Sequence, residues 1–94
     1  MQARDLAIEY YRKRLGMDAN KVFIHLVREI GEIAFALEKS NIEHAKIEIA
    51  ESIALLYYLA SIYGIDGIDD SIRSIYSKKL ESFTSNNMGI SNKQ

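Results

Sequence analysis

Two stretches of the sequence carry the same spacing of imidazole and carboxylate side chains. His25-x₃-Glu29-x₂-Glu32 recurs as His44-x₃-Glu48-x₂-Glu51, 19 residues further on. On a helix, residues three and four apart are neighbours, with Cβ atoms about 5–6 Å apart. Each stretch therefore sets two carboxylates side by side, with a histidine one turn earlier. In an antiparallel helical hairpin all four carboxylates would converge. Like charges gathered in a partly buried place repel and resist desolvation, so such a group takes up protons or cations. Carboxylate oxygens are hard ligands that suit Mg²⁺ or Mn²⁺. The competing reading is a solvent-facing acidic seam, with Glu29 and Glu32 paired to Arg28 or to lysines, and spacing alone weighs the two evenly. The histidines read first as partly exposed helix residues, and second as supports for metal ligands.

The elements that must position these residues are helices. The chain has no proline, and its glycines fall mostly between periodic segments. The first helix is expected over about Ala3–Leu15, closed by Gly16. The second follows over about Ala19–Lys39, capped by Asp18. Ser40-Asn41-Ile42-Glu43 fits a capping box with Ser40 as N-cap, opening a third helix that ends at Gly64. Asp66, with Asp69 three residues later, is placed to cap a fourth over about Gly67–Phe83. Ile53–Tyr63 is rich in strand-forming residues, but it lacks period-2 alternation and continues a helical segment.

The second helix is apolar around most of its circumference. Leu26, Ile30, Ile33 and Leu37 form one stripe, Phe23, Val27 and Ala34 widen it, and His25, Arg28, Glu29 and Glu32 fill the narrow polar remainder. On the third, the strip His44, Glu48, Glu51 continues as Leu55, Tyr58 and Ile62. Carboxylates that run into an apolar surface do not look like a solvated face. The fourth has the stripe Ile68, Ile72, Ile75, Tyr76, Leu80, Phe83, with Lys79 in its middle and Lys78 at its edge. Lys79 is weighed equally as a phosphate contact and as a snorkelling side chain; Lys78 reads as the latter. The six tyrosines are expected in core and subunit interface, and one could stack on a base.

Composition removes other classes. The 94 residues make one small domain, with 12 Lys+Arg against 13 Asp+Glu and a net charge of −1, which gives no footprint for polymeric nucleic acid or an anionic membrane surface. An apolar content of 48% is too high for a disordered chain, and the absence of cysteine removes disulfide scaffolds and thiolate chemistry. The longest apolar run, Ile53–Ala60, is far short of the ~20 residues of a membrane span. A cytoplasmic domain is expected over residues 1–83, with a polar, disordered tail over 84–94. So many apolar residues in so short a chain point to a homo-oligomer.

The stretch from His25 to Ala34 resembles the first metal-binding helix of the MazG-like nucleotide pyrophosphohydrolases, and that from Glu48 to Leu59 resembles the second. The family pattern is ExxE, a linker of a dozen or more residues, then ExxD. Tyr63-Gly64-Ile65-Asp66 and the helix bearing Lys79 extend the resemblance, which covers about Val22 to Leu80. It implies an all-α, four-helix bundle whose core is completed by homo-oligomerisation into a dimer or tetramer. It also implies Mg²⁺-dependent (or Mn²⁺-dependent) hydrolysis of a nucleoside triphosphate between the α and β phosphates. The metal ligands and catalytic carboxylates would map to Glu29, Glu32, Glu48 and Glu51, and Lys79 would contact phosphate. Two features depart from the pattern: Glu51 stands where the family usually has Asp, and Glu81-Ser82-Phe83-Thr84 follow Lys79 where Asn or Arg is common.

Those departures motivate an alternative, a weakened or inactive helical oligomer serving as an interaction module. A carboxylate-bridged di-iron bundle fits less well, because that class uses Glu-x-x-His and here each histidine precedes its glutamate by four. Phosphoribosyl-ATP pyrophosphohydrolase, in the same superfamily, ranks lower.

Overall fold

A computed structural model of the chain describes residues 1–93, and the side chains of residues 1–84. The tail expected over 84–94 lies, from residue 85 on, outside the residues whose side chains are described. The elements are α1 (Ala3–Leu15), α2 (Ala19–Glu38), α3 (Ile42–Ile62) and α4 (Ile68–Lys93), with no strand among the described residues. The all-α expectation holds.

Local chemistry accounts for most helix ends. Asp18 accepts from the N–H groups of Asn20 (3.0 Å) and Lys21 (3.2 Å), and so caps α2 as expected. At the α2–α3 turn the expected capping box is replaced. Ser40 takes a left-handed conformation, φ 57°, and closes α2: its N–H bonds to Leu37 O, and the next N–H, of Asn41, bonds to Ala36 O. The cap of α3 therefore passes to Asn41, whose side chain accepts from His44 N–H at 3.1 Å. At the other end of α3, Gly64 (φ 67°) makes the same kind of closure, with Ile65 N–H bonded to Ala60 O. The entry to α4 also differs from expectation. Gly67 (φ 69°) precedes the helix and its carbonyl takes Ser71 N–H, while Asp69 is held by Tyr57 Oη at 2.6 Å and by Arg4 at 3.4 Å.

The helices α2 and α3 pair as an antiparallel hairpin, and α1 packs on α3. Along α2 the inward positions are Val22, Leu26, Glu29, Ile33 and Ala36; along α3 they are Ala45, Glu48, Ser52, Leu55 and Tyr58. Spacings of three and four make these the seam of a two-helix coil. The α2 stripe expected from sequence is displaced, since Ile30 and Leu37 remain 51% and 52% exposed. The seam instead contains a glutamate from each helix. Its apolar end forms the core, where Val22, Leu55 and Tyr58 are fully buried beside Leu26 and Tyr11, and Ile8, Leu15, Leu59 and Ile62 pack around them. The Tyr58 hydroxyl donates to the Gly16 carbonyl and so ties the end of α1 to α3.

Beyond its first turn, α4 stands off this body. Every residue from Asp69 to Thr84 is exposed, including Ile72, Ile75, Tyr76, Leu80 and Phe83 of the expected stripe. The chain measures 56 × 37 × 26 Å with a radius of gyration of 17.8 Å, against about 12 Å for a globule of this length. Among the described residues, no four-helix bundle closes within a single chain. No described helix is long and apolar enough to cross a membrane.

Candidate metal centre

The seam positions of Glu29 and Glu48 bring their carboxylates face to face between α2 and α3. Glu51, one turn beyond Glu48, is exposed as a residue, yet its side chain is long enough for its carboxylate to join them. One oxygen from each of Glu29, Glu48 and Glu51 lies within 4.8 Å of the others. Of the four carboxylates singled out in the sequence, these three come together. Glu32 lies outside this group, on the exposed side of α2, because the inward positions fall at 29 and 33.

The electrostatics of the group would suit a bound cation. Oε2 of Glu29 and Oε2 of Glu48 are buried and have no hydrogen-bond partner. Glu48 is one of the two buried polar residues in the described chain, at 8% exposure. The Glu29 carboxyl is pushed up to about 8, first by sharing a hydrogen bond with Glu48, then by burial and the Glu48 charge, with Glu51 adding to both effects. Buried polar atoms are ordinarily partnered, and buried carboxylates are paired with cations. The donor set fits a hard divalent cation that takes oxygen ligands.

The histidines flank this group symmetrically. His25 Nε2 is 3.7 Å from Glu29 Oε1, and His44 Nε2 is 3.4 Å from Glu48 Oε1. Each is half-buried or exposed, on the solvent side of its glutamate. Both sit beside ligand candidates, outside the carboxylate group itself.

The carboxylates open into a cleft of about 670 Å³. Glu29, Glu51 and His25 line one side, and α1 supplies the other with Tyr10, Tyr11 and Arg14. Tyr11 is buried, and its phenol is raised above the usual range by burial and then by the nearby charges of Glu51 and Glu29. The sequence places Tyr10 and Tyr11 only among six tyrosines of core and interface, one of which could stack on a base, and does not single out Arg14; the signal available is an aromatic pair followed by an arginine within one turn. A smaller cleft of about 380 Å³, by Arg4, Ile8 and the α3–α4 turn, has Asp66 as its acidic residue and offers no comparable group. Lys79 and Lys78 are both exposed on α4 and do not line the carboxylate cleft.

No protein-family model, curated protein or solved structure matches the chain. The functional reading therefore rests on the sequence and on this geometry.

Proposed function

We propose that the protein is a Mg²⁺-dependent nucleotide pyrophosphohydrolase, cleaving a nucleoside or deoxynucleoside triphosphate to the monophosphate and pyrophosphate. The observation that carries the reading is the convergence of Glu29, Glu48 and Glu51 within 4.8 Å of one another, with buried, unpartnered oxygens on Glu29 and Glu48 and with Glu29 and Glu51 lining a cleft. The resemblance to the MazG-like family supplies the reaction class. Glu29, Glu48 and Glu51 would hold the cation, and Glu32 lies outside their group. The cation, when bound, supplies charge neutralisation on the polyphosphate and its leaving group. The carboxylates fix the ligand set from two helices at once, so the site has a rigid frame. Carboxylate oxygens directed at the cleft can accept hydrogen bonds from a water and orient it toward the scissile phosphorus. The packed Val22–Leu55–Tyr58 core seals the seam on one side against bulk water.

Homo-oligomerisation into a dimer or tetramer belongs to the same proposal, as does a cytoplasmic location. The chain exposes 7354 Å², whereas a monomeric globule of 10.7 kDa exposes about 5,500 Å². The excess, roughly 1,900 Å² per chain, is in the range that obligate dimers bury. The outward apolar side chains of α2, α3 and α4 offer the surface that a second copy would cover.

The test is a panel of canonical and modified NTPs and dNTPs, incubated with Mg²⁺ or with EDTA and resolved by chromatography. Monophosphate and pyrophosphate are expected only with Mg²⁺, and Glu48→Gln is expected to abolish them with helicity and assembly intact. Diphosphate and orthophosphate would mean that a different bond is cut. A second reading, a non-catalytic helical oligomer, is favoured by the exposed α4 stripe and by Lys79 standing outside the cleft; folded oligomer without product across the panel would establish it over the first.

A further inference from the structure

We propose that α1 forms the recognition wall of the carboxylate cleft, with Arg14 taking the side of the polyphosphate away from the cation and Tyr10 stacking on the nucleobase. The inference rests on the nucleotide reading above and names residues that reading does not use.

The second half of α1 is fixed against the site. Tyr11 is buried at 8% exposure, with its ring centroid 6.1 Å from that of Tyr58 and 6.4 Å from that of His25. The Tyr58 hydroxyl holds the carbonyl of Gly16 just beyond the helix. Tyr10 is held differently. Its ring meets Tyr11 edge-on, 5.0 Å between centroids at 77°, while the residue stays 56% exposed. An aromatic ring braced by a buried neighbour and open to a cleft offers a π-face with little left to order on binding. Every base has a face that can use it.

Arg14 lies one turn beyond Tyr10 and lines the same cleft as Glu29 and Glu51. It makes no ion pair among the described residues, although two carboxylates share its cleft. A guanidinium is a planar fork of donors matched to phosphate oxygens. With a divalent cation on the α2–α3 side and Arg14 on the α1 side, a polyphosphate is gripped from both flanks. Without the cation, the three carboxylates repel it. The cleft volume, about 670 Å³, is in the range of small-molecule sites. A cation site, a free guanidinium and a braced aromatic in one such cleft select an anionic ligand with a flat ring.

The experiment is calorimetric titration of the full chain at saturating Mg²⁺. The probes are inorganic tripolyphosphate and the non-hydrolysable α,β-methylene analogues of dATP, dCTP, dGTP and dUTP. Arg14→Ala is expected to weaken tripolyphosphate and the bound analogue alike, on the order of tenfold. Tyr10→Ala is expected to weaken the analogue on the order of tenfold and to leave tripolyphosphate within about twofold of wild type. Tyr10→Phe keeps the ring and is expected to retain wild-type affinity, which separates stacking from any effect on folding. Mn²⁺ binding, read by electron paramagnetic resonance, is expected to be the same in all three variants. An unchanged preference for nucleotide over tripolyphosphate in Tyr10→Ala, or unchanged affinities in Arg14→Ala, overturns the inference. Hydrolysis of NTPs by the wild type decides the nucleotide reading independently. Hydrolysis with variants that bind like wild type sinks the inference alone; the expected binding pattern without hydrolysis sinks the pyrophosphohydrolase reading alone.

Discussion

Replacing Glu29 by glutamine is expected to make the metal-free protein more stable and the Mg²⁺-treated protein no more stable than that. The sign follows from the direction in which the carboxyl is shifted. In the unfolded chain Glu29 loses its proton near 4.5; in the folded chain it holds it to about 8. Between those values the folded state binds more protons, so stability falls as pH rises through the window and levels off above 8. Each pH unit is worth ~1.36 kcal/mol, so at pH 7 the folded protein carries a cost of up to ~3 kcal/mol from this one group. Glutamine has nearly the same shape, is neutral in both states, and can donate an N–H to the unpartnered Glu48 Oε2. It therefore removes the cost and the pH dependence together. The assay is urea unfolding in EDTA at pH 5, 7 and 9, at fixed protomer concentration because assembly contributes to stability. The variant is expected to match wild type near pH 5, to exceed it increasingly up to about pH 8, and to keep that margin at pH 9. Mg²⁺ is expected to raise the midpoint of wild type alone. A variant no more stable than wild type at pH 9 in EDTA would refute the account of the site, as would a wild-type midpoint that does not fall between pH 5 and 8.

Other outcomes follow from the same structure. Mg²⁺ bound at the proposed site would displace the Glu29 proton, so apparent affinity is expected to rise about tenfold per pH unit up to about 8 and then flatten, with close to one proton released per cation at pH 7 in calorimetry across buffers of different ionisation enthalpy. Leu55→Ala empties a fully buried core position and is expected to lower unfolding stability by ~2–5 kcal/mol in denaturant titration. Asp18→Ala removes the acceptor for two N–H groups of α2 and is expected to cost about 1 kcal/mol by the same method. The double substitution Ile72→Asp with Ile75→Asp places charge on the exposed α4 stripe and is expected to lower the mass seen by light scattering while leaving helicity near that of wild type.

Helix number and order, and the extent of α1 to α3, could be read from the breakers and the caps, because Asp18, Gly16 and Gly64 act through their immediate neighbours; α4 runs on to Lys93, past the end expected at Phe83. The entry of carboxylates into an apolar face was also legible on α3, where Glu48, Leu55 and Tyr58 share one strip. On α2 the pattern left the inward face open. With apolar residues around most of the helix, periodicity could not choose between the stripe through Ile30 and Leu37 and the seam through Glu29, Ile33 and Ala36. The partner helix made that choice. The same choice leaves Glu32 outside the carboxylate group, since position 33 turns inward in its place. Ser40 was misread because its role depends on how α2 ends: once it closes that helix in a left-handed conformation, the cap must move to Asn41. Arg14 lines the cleft and Lys79 does not, for a longer-range reason. Which side chain reaches the cleft is set by where α1 and α4 lie relative to the hairpin, and neither helix encodes that in its own periodicity.

The shortness of the α2–α3 turn bears on how the chain acquires its structure. Three residues, Lys39 to Asn41, separate the helices, and sequence-local pairs of this kind close early and fast. The first tertiary surface to zip is thus the one carrying Glu29 and Glu48. Below pH 8 Glu29 takes up a proton as the surface closes, and a cation held there would meet the charge in its place; in EDTA at high pH the surface must close against its own repulsion. Refolding, more than unfolding, is then the step that slows, since a group engaged in the nucleus alters the folding rate. A divalent cation held by these carboxylates would thereby couple the rate at which the chain folds to the cation level of its surroundings.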